Sequence, residues 1–157
     1  KNKSKALYLC SCLNSHSEYT VSHELREGIH MTPKLYSFWR SSAAFRVRIA
    51  LNLKSMDHEI IPIHLSKNGG EQMGEVYSSK NPNRLVPLFE DGQKSIHQSL
   101  AIIEYLEEVQ PEPALLPKVA IDRAWVRSVA MDITSDIHPI NNVRVLRYLI
   151  KKLGIRR

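Results

Sequence analysis

Two adjacent hydroxyls, Ser41 and Ser42, stand in "YSFWRSSAAFRVRIALNLK" where the pattern changes from strand-like to helix-like. Arg40 precedes them, and Arg46 and Arg48 follow. A hydroxyl at a helix start caps free backbone N–H groups. It can also donate to a thiolate or oxyanion placed there. A thiol of ordinary pKa, about 8.5, is only a few per cent ionised at pH 7. Lowering it by about two units takes roughly 2.7 kcal/mol. A helix end supplies about 0.3–1 kcal/mol, and one hydrogen bond to a charged group about 1.5–3 kcal/mol. The two together suffice, and the helix end alone does not.

Two further places carry the same kind of choice. Pro87 in "RLVPLFE" lacks a ladder donor and belongs at an edge or a special turn. If Val86–Pro87 is cis, the Val86 N–H and C=O face outward and can pair with a peptide-like ligand in strand fashion. In "HQSLAIIEYLEE", Ser99 reads first as the N-cap of an apolar helix. That helix start also favours a carboxylate, and Gln98 adds an amide that both donates and accepts.

The elements that must position these groups follow from periodicity. "KLYSFW" reads as a strand, and Ser41 or Ser42 caps a helix to about Leu53. Its apolar face is expected at Phe45, Ile49 and Leu53, widened by Ala44, Val47 and Leu51. "HEIIPIHL" is a second strand, "SKNGGEQ" a loop, and "EQMGEVYSS" a short helix. "RLVPLFEDGQKSIHQ" is a strand pair around Asp91-Gly92. "SLAIIEYLEEV" is a helix with Leu100, Ile103, Leu106 and Val109 apolar, and "QPEPALLPK" is a proline linker. Two helices follow, separated by "HP". This order fits an α/β thioredoxin-like domain over 32–112 and the start of an all-α domain over 119–157. The second has too few helices to close a core and reads as truncated. Residues 1–30 hold neither period and read as an extension upstream of a natural start at Met31.

Composition excludes several classes. An apolar fraction of 43% supports a real core rather than global disorder. The formal charge of +6 is concentrated late, in Arg147, Lys151, Lys152, Arg156 and Arg157, which read as a solvated helix-end face. No aromatic-basic interleaving or finger spacing points to nucleic acid. Cys10 and Cys12 are too closely spaced for a zinc pair, the seven histidines are scattered, and no apolar run is long enough to span a membrane. Without a disulfide framework the chain suits a reducing compartment.

The combination of "FWRSSAAFRVRIALNLK", "KNGGEQ", "NPNRLVPLFEDG", "IHQSLAIIEYLEE" and "DIHPINNVRVLRYL" resembles the zeta class of glutathione transferases, from about Lys34 to Leu153. The resemblance implies glutathione as cofactor and a cytoplasmic homodimer acting on a small carboxylate-bearing substrate, with no nucleic-acid or membrane partner. The implied reaction is cis–trans isomerisation of maleylacetoacetate to fumarylacetoacetate in phenylalanine and tyrosine breakdown. Maleylpyruvate isomerisation and general glutathione transfer are the enzymatic alternatives, and a non-catalytic glutathione-binding module is the alternative of another kind.

The implied roles fall on matching positions. Ser41 stands beside the glutathione sulfur, with Ser42 as alternative donor. The Val86 backbone, next to Pro87, pairs with the cysteinyl portion. Gln98 and Ser99 hold the γ-glutamyl end, and Gln72 touches another part. His138, Asn142 and Arg144 line the site from the helical side, with Arg40 and Arg144 for a substrate carboxylate. Ala43 stands where eukaryotic members have cysteine, so no cysteine-assisted route is expected. Plainer readings make His138 a helix-end residue and Asn141-Asn142 caps. They make Arg46 and Arg48 surface or ion-pair residues, and Trp39 and Trp125 packing residues.

Overall fold

The computed structural model describes residues 31–155, so the expected extension over 1–30, with Cys10 and Cys12, and the terminal Arg156 and Arg157 lie outside the described residues. Four short strands form one sheet: β1 (Lys34–Ser37), β2 (Glu59–Pro62), β3 (Leu88–Asp91) and β4 (Lys94–His97). Their order is β2-β1-β3-β4, with β1 parallel to β2 and antiparallel to β3, and β3 antiparallel to β4. The parallel pair needs a crossover, which α1 (Ser42–Leu53) supplies. The hairpin turns at Asp91-Gly92, with Gly92 at a φ of +57° that suits glycine.

The period-two alternation of the strands sends side chains to two layers. Leu35 of β1 and Phe89 of β3 enter a core with Val47, Ala50 and Leu51 of α1 and Ile102 and Leu106 of α3 (Ser99–Val109). Tyr36 and Leu88 face the other way, packing with Val86 and with Tyr77 of α2 (Glu75–Lys80). This is the thioredoxin-like layering that the order of elements implied.

Two expected apolar faces are corrected. On α1 the buried residues are Ala43, Ala44, Val47, Ala50 and Leu51, whereas Phe45 and Leu53 are 55% and 57% exposed and Ile49 is also exposed. The helix had two apolar stripes to offer. The one rich in alanine faces inward because small side chains let it approach both the sheet and α3 closely. On α3 the fully buried pair is Ile102 and Leu106, while Val109 is exposed. Trp39 and Trp125 are 70% and 68% exposed, so neither is a packing residue. Trp39 instead lies under the Arg40 guanidinium, 5.6 Å from its ring centre.

The proline-rich connection is pinned by a buried charge. Lys54, wholly buried at the end of α1, pairs with Glu107 at 2.7 Å and donates to the carbonyls of Gln110 (2.6 Å) and Pro113 (3.1 Å). Glu107 also accepts from the N–H groups of Leu115 and Leu116. Beyond it run α4 (Ala120–Met131), a π-helical turn (Asp132–Ile137), α5 (His138–Ile140) and α6 (Val143–Leu153). The "HP" step therefore continues a helical path rather than breaking it, with Pro139 in the first turn of α5, where its missing N–H costs little. A two-pronged pair, Arg127 to Glu104 at 2.8 and 2.6 Å, ties α4 to α3.

Candidate functional site

A cleft of about 430 Å³ opens between the α/β layers and the later helices. Its walls come from the start of α1 (Ala43, Arg46), the segment before β3 (Asn81, Asn83, Leu85, Val86, Pro87) and the start of α3 (His97, Gln98, Ser99, Leu100). The helical side adds Thr134, Ser135, His138, Pro139, Asn142 and Arg144. Among the described residues no carboxylate lines it, and Arg46 and Arg144 give it positive charge.

Local chemistry holds the walls and the start of α1 beside them, where Ser41 and Ser42 stand outside the lining itself. Ser41 is the N-cap of α1, and its Oγ accepts from the Ala44 N–H at 3.2 Å. A hydroxyl keeps its own proton while accepting, so capping leaves the Ser41 O–H free to donate. Ser42 Oγ lies 3.2 Å from His138 Nδ1 and joins α1 to α5. Burial first, and then the Arg46 cation, push the His138 imidazole below its usual range. The Val86–Pro87 bond is cis, as the sequence reading allowed. The Tyr77 hydroxyl (2.5 Å) and Asn81 amide (2.8 Å) both donate to the Leu85 carbonyl and pin the chain just before it. Burial pushes the Tyr77 phenol up to about 12, which keeps it a donor. Among the described residues the Val86 N–H and C=O pair with no other backbone group.

Ser99 is not the cap that its place before an apolar run suggests. Gln98 occupies the N-cap at φ 73° and ψ 117° without a capping side-chain bond, and Ser99 opens the helix. The Ser99 hydroxyl accepts instead from Arg46 Nε at 2.8 Å. A non-glycine residue at that φ costs about 1–3 kcal/mol and persists only where its surroundings over-determine it. Asn142 is both a cap and a wall, since its Oδ1 accepts from the Arg144 N–H at 2.7 Å at the start of α6.

The cleft thus gathers Val86, Pro87, Gln98, Ser99, His138, Asn142 and Arg144, with Ser42 joined to it through His138. Arg40 is exposed on Trp39 and lies outside the lining. Gln72 is buried away from it, donating to the Leu65 carbonyl at 3.3 Å, with its Oε1 unpartnered. Gly70 makes room there, because a Cβ would lie 2.7 Å from the Gln72 amide and the Leu65 carbonyl. Arg46, read from sequence as a surface or ion-pair residue, lines the cleft and has no ion pair among the described residues. Thr134 and Ser135 were missed too. Their signal was spacing, four and three residues before His138, although the π-helical turn that carries them was not readable.

Residues 31–108 match the model of the glutathione S-transferase N-terminal domain. The chain belongs to the glutathione S-transferase family. It is 52% identical over 121 residues to the probable maleylacetoacetate isomerase of Vibrio cholerae, covering 77% of this chain and 56% of that protein. It is 49% identical to the maleylpyruvate isomerase of a Ralstonia species, with the same coverage. A solved holo maleylpyruvate isomerase, described as a bacterial glutathione S-transferase of the zeta class, matches with a TM-score of 0.75 and 48% identity over 78% of this chain and 57% of that one. The maleylacetoacetate isomerase of Methylobacterium extorquens AM1, solved with malonate and glutathione, matches with a TM-score of 0.73 and 41% identity over the same shares. The zeta-class resemblance is borne out, and the chain spans a little over half the length of these relatives.

Proposed function

We propose that this chain is a glutathione-dependent cis–trans isomerase, acting on maleylacetoacetate to give fumarylacetoacetate, with maleylpyruvate as the second candidate substrate. The observation that carries the reading is the cleft itself. Among the described residues it holds cations, amides, hydroxyls and an unpaired Val86 backbone, and no carboxylate. Those groups fit glutathione, a tripeptide with two carboxylates and an extended backbone, and its volume suits a small ligand. Both substrates also bring carboxylates, which Arg144 would receive and Arg40 could reach only from outside the lining.

Glutathione supplies a sulfur nucleophile that can add to a conjugated cis double bond and leave again. The chain's own part is binding and proton placement. Val86 presents its N–H and C=O to an extended peptide. Gln98, Ser99 and the start of α3 receive a carboxylate. Ser41, with its proton unused by capping, donates to the sulfur, and Ser42 is the alternative donor. His138, whose imidazolium burial and then Arg46 disfavour, is the group able to exchange a proton with Ser42. Ala43 offers no second thiol, so the chemistry depends on the glutathione sulfur. Gln72, buried outside the cleft lining, would touch another part of glutathione only through its unpartnered Oε1. A cytoplasmic homodimer working in phenylalanine and tyrosine breakdown completes the proposal. No helix of the described residues is long and apolar enough to cross a membrane.

The test follows isomerisation of maleylacetone with and without glutathione. Turnover is expected only with glutathione, and to fall about tenfold to a hundredfold in Ser41→Ala, the effect of losing one charged hydrogen bond. Absence of glutathione-dependent turnover overturns the isomerase reading. Unchanged turnover in Ser41→Ala moves the donor role to Ser42.

A further inference from the structure

The most unusual charge in the molecule is Arg46. It stands in the second turn of α1, and the first turn holds no acid to offset its charge. It is half-buried, yet none of the four ion pairs among the described residues includes it. The other cations near α1 are occupied. Lys54 has Glu107, and Arg48 donates to the Trp39 carbonyl at 3.2 Å and lies over the Phe45 ring. Among the described residues Arg46 makes one hydrogen bond, from Nε to Ser99 Oγ, and Ser99 is itself buried. A guanidinium has five N–H donors in a fixed fork. A half-buried cation with one neutral partner, in a cleft whose described lining holds no carboxylate, is a site completed by an anion.

We propose that Arg46 is the anion anchor of the cleft: Nε holds the Ser99 hydroxyl, and the remaining guanidinium N–H groups take a carboxylate of the bound ligand. Burial lowers the Arg46 pKa, the direction expected for a cation without a counter-charge. The bond to Ser99 has a second effect. Because Ser99 Oγ accepts from a cation, its own O–H is turned outward and becomes a stronger donor to the same ligand. Arg46 and Ser99 therefore act as one receptor bridging the starts of α1 and α3. Arg46 also fits a planar two-oxygen group better than lysine would.

The inference rests on the isomerase reading for the identity of the ligand, which brings a carboxylate from either glutathione or the substrate. Calorimetric titration of the whole chain with glutathione, and separately with malonate as a dicarboxylate probe, distinguishes the sources. Arg46→Met is expected to weaken at least one probe by about tenfold or more, as loss of a charged hydrogen bond would. Weakening of glutathione assigns the carboxylate to the tripeptide, and weakening of malonate assigns it to the substrate. Unchanged dissociation constants in Arg46→Met for every probe that the wild type binds overturn this proposal and leave the isomerase reading standing. Binding of neither probe by the wild type overturns both. Should Arg46→Met fail to fold by circular dichroism, Arg46→Lys replaces it. A loss of roughly threefold or more supports the fork, and full affinity overturns it.

Discussion

At the scale of single residues, one hydroxyl can serve two masters without conflict. Ser41 accepts from Ala44 to cap α1 and keeps its proton for a ligand, whereas Ser99 accepts from Arg46 and caps nothing. Sequence marks both as small hydroxyls before apolar helices, and only the position of Arg46 separates their jobs. The same arginine acts on His138. Burial and then the Arg46 charge disfavour the imidazolium, so the folded pKa lies below the ordinary value of about 6.5. The unfolded chain therefore binds a proton that the folded chain does not, and acidification below about pH 6.5 costs stability through this group. An NMR titration of the His138 ring is expected to give a midpoint below 6.5 that rises in Arg46→Met. A midpoint at or above 6.5 in the wild type would refute the lowered pKa, and an unchanged midpoint in Arg46→Met would show that the charge is not felt there.

At the scale of elements, α1 decides where the site can form. Its alanine-rich stripe lies against the sheet and α3, which brings the start of α1 beside the start of α3 and places Arg46 on Ser99. Had the Phe45–Ile49–Leu53 stripe faced inward, larger side chains would have spread the helices apart and turned Arg46 away. Leu51→Ala is expected to cost about 2–5 kcal/mol in denaturant unfolding, while Phe45→Ala costs less than about 1 kcal/mol. Equal losses at the two positions would mean that the wrong face has been identified. The π-helical turn after α4 plays the matching part on the other wall, where Thr134, Ser135 and His138 all reach the cleft.

At the scale of the molecule, three carboxylates fasten separate parts together. Glu90 joins β3 to Lys80 of α2 and to Tyr36, Glu104 holds Arg127 of α4, and Glu107 holds Lys54 and the turn at Leu115-Leu116. Burial pushes Glu90 and Glu107 upward, but the Lys80 and Tyr36 bonds for one, and the Lys54 ammonium and backbone N–H groups for the other, leave both below the usual range. Glu104 is lowered chiefly by its Arg127 bonds. With folded pKa values below unfolded ones, the stability they add is complete above about pH 4.3 and is lost as pH falls through the folded values. The melting temperature is therefore expected to drop steeply below about pH 4.3. Glu107→Gln should melt lower at pH 7 and show a shallower acid slope. A wild-type melting temperature that is flat from about pH 6 to 3 is the contrary result.

What could be read from the chain itself was local and periodic. Strand alternation, the Asp91-Gly92 turn, the helix after the paired serines and the corner at Val86-Pro87 are each set by neighbours within a few residues, as are the motifs that carry the family resemblance. What the chain alone could not settle depended on groups far apart in it. Arg46 and Ser99 are 53 positions apart, Ser42 and His138 are 96, and Lys54 meets Pro113 across 59. Which of two apolar stripes faces inward, whether a serine caps or is itself held, and whether an arginine finds a carboxylate are decided when layers pack. Burial then raises the cost of every unpaired charge. That cost separates the surface residue Arg46 resembled in the sequence from the unmatched cation it is in the fold.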